Sequence, residues 1–391
     1  MKAYNTLKLV LIISLVISLI SSRILFITQS FAVTVNVHLF TCRSSMSLSN
    51  LSQILLRNSE LFQANKPLLI NMPADDFIAK YLALYPSADL TTLNTNFEEH
   101  KNLKQRYQQQ VKCIFTSHYQ TDTKHDLVII TFPKSKAELN YTFAMINSLL
   151  AVDAQIFLVG ENKSGIKSSQ KLTSSLLSYC NKLDSAKHCT LFSGQFNNKC
   201  QVFNFDDWFN HYQITIEDVS LTVASLPGVF SQDGLDIGTR VLLSNLPNNL
   251  SDKVLDFGCG AGIISCFIGK RYPNISLSLL DVSALALSSA KRTLALNGLT
   301  GLVFPSNSLS EVTEKYQHIV SNPPFHQGVK TNYLATEIFL KNIKNHTKKN
   351  GSITIVANSF LRYQEIMDKA ISKSRALAKE RGFTIYQCLV K

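Results

Sequence analysis

The sequence predicts a duplicated α/β fold, two tandem halves that are each a mostly parallel sheet covered by helices. Residues 66–96 and 253–283 align without a gap at a constant offset of 187. Each copy reads as an apolar run, a punctuated turn, a helical stretch closed by Pro, and a second apolar run, the pattern of strand, turn, helix, strand. The chain has 391 residues, 45% hydrophobic and 17% charged, enough for two domains with buried cores and too apolar for a disordered chain.

The first 45 residues stand apart. They contain no Asp or Glu; Lys2 and Lys8 precede an apolar run from Leu9 to Ile20, and a second run spans Ile24 to Val37. Such a segment reads as a signal peptide or membrane anchor, or as an extension upstream of the natural start. Met46 opens a different texture, "MSLSNLSQILLRNSELF", with Ser and Asn caps and helical apolar spacing. The expectation is that the natural protein starts at Met46 and that 1–45 is a doubtful hydrophobic extension.

In the aligned copies Lys66 meets Lys253, Leu68 meets Leu255, Tyr85-Pro86 meets Tyr272-Pro273, and Leu93 meets Leu280. The echo continues at an offset near 190, where "LVIITFPKS" (127–135) faces "HIVSNPPFH" (318–326), and more loosely where "QIFLVG" (155–160) faces "SITIVA" (352–357). The differences carry the functional information. Gly258, Gly260 and Gly262 face Asn71, Pro73 and Asp75, and Asp281 faces Asn94. Only the second copy has glycines that allow close ligand approach and a carboxylate to bind a ribose. A small-molecule cofactor is therefore expected in the second half, with the first half as scaffold or RNA-binding module.

"VLDFGCGAG" (254–262) places a strand end at Asp256, a glycine-rich turn, and a helix from about Ile263. The spacing G-x-G-x-G differs from the G-x-G-x-x-G of dinucleotide sites. A carboxylate before the first glycine would repel a phosphate at the helix start, but suits the ammonium and sulfonium charges of S-adenosylmethionine. Asp281, ending the next strand, can accept hydrogen bonds from both ribose hydroxyls. Asn307, the last residue of "LVFPSN", can bond an adenine, or simply be a turn residue.

"SNPPF" (321–325) follows the apolar strand "HIV". Two prolines fix an extended backbone whose carbonyls accept but whose nitrogens do not donate. The Asn322 side-chain carbonyl and the Pro323 backbone carbonyl can each accept an N–H from an exocyclic amine, aiming its lone pair at a methyl donor. Pro324 completes the rigid segment, and Phe325 can stack on an extruded base. His326 reads as a general base or as a polar residue at the rim, and no catalytic role is assigned to it.

Elsewhere the chemistry is sparser. The formal net charge of +12 suggests a polyanionic partner. Eight scattered cysteines show no C-x-x-C pair and no zinc-finger spacing, so no metal and a reducing, cytoplasmic setting are expected, with Cys259 a small buried filler. Lys369, Lys373, Arg375, Lys379 and Arg381 read as a solvated helix face or a phosphate-binding one.

"VLDFGCGAG", "LLDVS", "FPSNSLSEV", "SNPPFHQG" and "ITIVANSFLRY" together resemble the bacterial small-subunit (16S) ribosomal RNA guanine-N2 methyltransferases of the RsmC type. "LPGVFSQDGLDIGTRVLL" (226–243) is similar to the family's segment before the cofactor fold, and "LLRNSELF", "FPKSKAE", "VGENKSGIKS" and "DSAKHC" extend the likeness across residues 46–391. Phe in "NPPFH" matches the guanine-modifying branch better than the "NPPY" of adenine and glutamine methylators. The resemblance implies two tandem Rossmann-like class I methyltransferase folds, with mixed, mostly parallel seven-stranded sheets and a degenerate N-terminal copy. It implies a degenerate domain at 46–200 without a cofactor site and a catalytic S-adenosylmethionine-binding domain at 201–391. By motif position, Asn322, Pro323, Pro324 and Phe325 are the catalytic candidates; Asp256, Gly258, Gly260, Gly262, Asp281 and Asn307 are the cofactor-binding ones. Phe230 and Asp233 are candidates to close over the methionine end or the base, with an Asp233-Gly234 turn as the alternative. The implied partner is small-subunit ribosomal RNA, within the small ribosomal subunit, methylated by a monomer. Methylation of another RNA base or of a protein glutamine amide uses the same N-P-P logic, and an RNA-binding protein that has lost catalysis is the non-enzymatic alternative.

Overall fold

The computed structural model describes residues 47–323 and 330–391, so Met46, Pro324, Phe325 and His326 lie outside the described residues. The first half runs α1 (Asn50–Arg57), β1 (Pro67–Ile70), α2 (Phe77–Leu84), β2 (Thr91–Asn94), α3 (Phe97–Tyr107), β3 (Lys112–Phe115), β4 (His125–Thr131), α4 (Lys136–Asn147), β5 (Leu150–Glu161), the short α5 (Ser169–Leu172), β6 (Leu177–Ala186) and β7 (Cys189–Phe196). A hairpin of β8 (Asn210–Ile216) and β9 (Val219–Ser225) follows. The second half runs α6 (Ile237–Ser244), β10 (Lys253–Phe257), α7 (Ile263–Arg271), β11 (Ser276–Asp281), α8 (Ala284–Leu296), β12 (Leu302–Pro305), β13 (Tyr316–Ser321), α9 (Lys330–Asn342), β14 (Thr347–Asn358), α10 (Tyr363–Ala370), β15 (Arg375–Glu380) and β16 (Phe383–Leu389).

The two seven-stranded sheets have one topology. Their orders are β3-β2-β1-β4-β5-β7-β6 and β12-β11-β10-β13-β14-β16-β15. Six strands of each sheet run in one direction, and β7 and β16, each next to the edge, run antiparallel to both neighbours. The predicted offset holds in the hydrogen-bond register: Leu68 pairs with Thr91, and Leu255, 187 residues on, pairs with Ser278. The loosely matched strands also correspond, since Val128 pairs with Ile156 and Ile319 with Ile353. Central strands are buried on both faces, which is why β1 reads "PLLI" and β10 "KVLDF" rather than alternating.

The halves meet at matching positions. Asn96 bridges to Ser283; the Phe97 amide donates to the Val282 carbonyl and the Ala284 amide to the Thr95 carbonyl, each at 2.8 Å. Under the repeat offset each bond is the image of the other. Asn96 and Ser283 are also matching helix caps, accepting from the Glu99 and Ala286 amides. A single apolar cluster runs through both halves, taking in Leu68 and Ile130 as well as Val254 and Ile264. The hairpin belongs to the second half by its bonds: Ser289 and Thr293 on α8, and Asn297 at its C-cap, satisfy the backbone of Leu226, Ala224 and Thr222.

One expectation is corrected. The basic stretch from Asp368 to Arg381 is not one helix face. Asp368 accepts from the Ser374 amide and hydroxyl and closes the turn after α10, and Arg375 to Glu380 form an edge strand paired with β16. Charged side chains on such an edge discourage pairing with other chains. Among the described residues no helix is long and apolar enough to cross a membrane.

The shared core and the reciprocal bonds predict one unfolding event for both halves. Trp208, the chain's single tryptophan, packs edge-on against Tyr141 of the first half at 5.4 Å. Its fluorescence and the amide-exchange protection of β10 are expected to be lost at the same urea midpoint. Two separated midpoints would show that the halves fold independently.

Candidate active site

In an open α/β sheet, ligands bind outside the carboxyl ends of the strands where the strand order reverses. In the second sheet that point lies between β10 and β13, and a cavity of about 460 Å³ opens there. Its wall includes Gly258 and Gly260 after β10, Asp281 ending β11, Asn307 after β12, and Asn322 and Pro323 after β13. Phe230, 56% exposed, stands at the same cavity from the loop ahead of α6. Seven sequence candidates thus converge on one space.

The glycine turn follows from its hydrogen bonds. The Gly258 and Cys259 amides both donate to the Leu280 carbonyl, tying the end of β10 to β11, and Gly262 donates back to Cys259. Gly258 and Gly260 have φ of 70° and 52°, a region few side chains adopt. A Cβ on Gly258 would meet nothing within 4 Å, and one on Gly260 only the Phe230 carbonyl at 3.8 Å, so the turn presents bare backbone to the cavity. The Gly260 amide donates to one Asp281 oxygen and the Ser283 amide to the other. Burial pushes the Asp281 carboxyl above its ordinary value, while these amides hold it down.

Two motif residues face elsewhere. Gly262 packs against the helix α8, where a Cβ would come within 3.1 Å of Ala290, so its role is close approach between α7 and α8. Asp256 is fully buried beneath the turn and does not line the cavity. Its Oδ2 accepts from the Ser265 amide and hydroxyl, in the first turn of α7. Its Oδ1 has no hydrogen-bond partner among the described residues. Burial pushes its carboxyl up to about 7, against the lowering pull of Ser265 and with a smaller push from Asp281. Cys259 is a buried filler as read from the sequence, its thiol pushed well above the usual range by burial.

The Asn322 side chain is placed by its neighbours. Ser321, fully buried, donates its hydroxyl to the Phe257 carbonyl at 2.7 Å and locks the end of β13 beside β10. The Asn322 amide nitrogen donates to Asp236 Oδ2 at 3.1 Å and to Thr239 Oγ1 at 2.8 Å. Asp233, the carboxylate singled out in that segment, is exposed, stays outside the cavity wall, and accepts from Asn210. Sequence reasoning missed Asp236 and Thr239. An Asp three residues before Thr at the head of an apolar helical stretch is a cap signature that could have marked them.

The first half also reaches the cavity: Asn96 and Glu98, at the start of α3, form part of its wall. The matching turn of that half is closed on itself. Asn71, in the left-handed conformation at φ 54°, accepts from the Thr95 amide. Asn94, 1% exposed, donates to the Met72 carbonyl. Glu99 accepts from the Ala74 amide, and Arg106 bonds the Ala74 carbonyl and pairs with Asp76.

Fold and site define a methyltransferase-type α/β protein with its cavity in the second of two copies. The methyltransferase small domain model matches residues 220–387, and its N-terminal companion, the methyltransferase small domain N-terminal model, matches 52–212. The chain is 58% identical over 349 residues to ribosomal RNA small subunit methyltransferase C of Colwellia psychrerythraea, covering 88% of this chain and 98% of that one. It is 40% identical over 345 residues to the protein of the same name from Psychromonas ingrahamii, at 88% and 98% coverage. The chain belongs to the ribosomal RNA small subunit methyltransferase C family. Its fold is shared with the T. thermophilus 16S rRNA N2 G1207 methyltransferase (RsmC), solved with AdoMet and guanosine, at a TM-score of 0.74 and 17% identity over 88% of this chain and 92% of that one.

The buried Asp256 makes stability depend on pH. Its folded carboxyl titrates near 7, against the ordinary 3.8. Between those values the unfolded chain releases a proton that the folded chain keeps, so its contribution to stability falls as pH rises from about 4 to about 7 and is level above. Asp256→Asn cannot titrate. In urea unfolding across that range, the stability of wild type relative to Asp256→Asn is expected to decline; a constant difference would contradict the assignment.

Proposed function

We propose that the chain transfers the methyl group of S-adenosylmethionine to the exocyclic N2 amine of a guanine in small-subunit ribosomal RNA. The observation that carries this reading is the placement of Asn322 and Pro323 on the same cavity wall as the Gly258–Gly260 turn and Asp281. The cavity fits the donor on two counts besides size: bare backbone at Gly258 and Gly260, and a carboxylate at Asp281 for ribose hydroxyls. Asn307 is assigned to the adenine. When bound, S-adenosylmethionine supplies an electrophilic methyl group.

The rest is done by the chain's own residues. A guanine N2 amine is a weak nucleophile because its lone pair is shared with the ring. Carbonyl acceptors at Asn322 and Pro323 draw both N–H bonds toward the protein, leave the lone pair facing the donor, and stabilise positive charge as it develops on nitrogen. No strong base is needed, since the proton leaves after the methyl arrives. The roles that the sequence implies for Pro324, in a rigid segment, and for Phe325, stacking on an extruded base, belong to this reading and fall outside the described residues; Phe230 closes over the site. Asp256 and Gly262 serve the cofactor indirectly, by supporting the turn and packing its helix.

We read 46–200 as a degenerate methyltransferase domain and 201–391 as the catalytic one. The self-bonded turn at Asn71–Asp76 supports that reading, because its side chains occupy the hydrogen-bonding groups that a ligand would use. The net charge of +12 fits an RNA partner, and the protein acts as a cytoplasmic monomer on the small subunit.

Labelled S-adenosylmethionine incubated with unmodified small subunits is expected to yield N2-methylguanosine on nucleoside analysis. Asn322→Ala is expected to cut kcat by on the order of 100-fold, the usual effect of deleting one oriented partner of developing charge. Undiminished transfer by Asn322→Ala would remove the acceptor role, and label recovered in protein glutamine would move the substrate class.

A further inference from the structure

An asparagine amide is useful as an acceptor only if its oxygen, not its nitrogen, faces the substrate. The two ends of the group have almost the same shape, so something must choose between them. In this chain both Asn322 N–H bonds are spent on one side, on Asp236 Oδ2 and Thr239 Oγ1. The same Asp236 oxygen accepts from the Thr239 amide at 2.9 Å and lies 3.4 Å from its hydroxyl. A carboxylate has no proton to give, so the Thr239 hydroxyl points its proton at Asp236 and its lone pair at Asn322. Turning the amide over would set Oδ1 against the carboxylate, forfeit the Asp236 bond, and keep the Thr239 bond only if the hydroxyl withdrew its proton from Asp236. Asn322 Oδ1 has no partner among the described residues and is not a buried orphan, and the residue lines the cavity.

The repeat supplies an internal control. Ser49 and Ser52 lie 187 residues before Asp236 and Thr239, and Ser49 caps α1 by accepting from the Ser52 amide just as Asp236 caps α6. The cap is thus ancestral to both copies, and a serine suffices for it. What differs in the second copy is a longer, acceptor-only side chain that reaches Asn322. Gly238 makes room for it: a Cβ there would come within 3.0 Å of Asp236 Oδ2 and 2.9 Å of the Phe383 ring.

We propose that Asp236 and Thr239 are positioning residues for methyl transfer, a clamp that fixes the Asn322 amide with its carbonyl toward the acceptor amine. This rests on the function proposed above. Asp236→Ser, which installs the cap of the first copy, and Thr239→Val, nearly isosteric, each remove one arm of the clamp. Steady-state methylation of small subunits at saturating donor is expected to show kcat reduced about tenfold for each, the effect of losing roughly one hydrogen bond's orientation. The donor Kd by calorimetry, the KM for subunits and the thermal midpoint should stay near wild type, and Thr239→Ser should recover most of kcat. Unchanged kcat in both variants would overturn the clamp, as would loss of donor affinity or thermal midpoint in parallel with kcat, or failure of Thr239→Ser to recover. A wild-type protein that leaves guanine N2 unmethylated would instead overturn the functional reading, and the clamp with it.

Discussion

The Phe97 amide meets the Val282 carbonyl while the Ala284 amide meets the Thr95 carbonyl. These are the same bond made twice, once from each copy, as in the contact of a twofold symmetric dimer whose subunits have been joined in one chain. Its position matters more than its strength. The paired segments follow β2 and β11, the strands whose ends carry Asn94 and Asp281. Anything that sets Asp281 at the cavity therefore also sets the head of α3 beside it, and Asn96 and Glu98 become part of the wall. A half that keeps no open turn of its own still shapes the site of its neighbour.

Within that symmetric frame the copies diverged at side chains while the backbone stayed. The Asn71 amide bonds the Leu93 carbonyl as the Gly258 amide bonds the Leu280 carbonyl, and both residues sit at positive φ. Asparagine is the residue, after glycine, that best tolerates that conformation. Having a side chain, Asn71 then bonds Thr95 and draws the turn shut, and Glu99 and Arg106 bond the neighbouring Ala74. The second copy leaves the corresponding surface of its turn bare. Open and closed turns thus differ by a handful of side chains on one scaffold.

Much of this is legible in the amino-acid sequence. The constant offset of 187 predicted the strand register, because an ungapped repeat in a parallel sheet leaves the pairing no freedom to slip. The glycine turn, Asp281, Asn307 and Asn322 were legible because each ends a strand, and strand ends at a switch point share one edge. Asp256 was misplaced by one step of the pleat: as the penultimate residue of β10 it points under the turn, and spacing to the glycines does not reveal that. The family resemblance of the segment 226–243 points to Asp233, whereas Asp236 of the same segment does the bonding, across 86 residues of sequence to Asn322. No local pattern encodes a contact of that range. The basic stretch near the C-terminus reads as a solvated or phosphate-binding helix face because charge on an edge strand and charge around a helix look alike over so few residues.

The helix cap shows how one ancestral device took two uses. In the first copy the Ser49 backbone amide donates to Asp75, so the cap residue of α1 helps to hold the closed turn. In the second copy Gly262 stands where Asp75 stands, and that bond has no counterpart; Asp236 turns instead toward Asn322. The same first helical turn, ahead of the same first strand, therefore braces a sealed turn in one half and holds the acceptor in the other. Opening the glycine turn removed the cap's old partner and freed its position to act on the segment after β13. The bare turn and the fixed amide are accordingly two consequences of one set of substitutions.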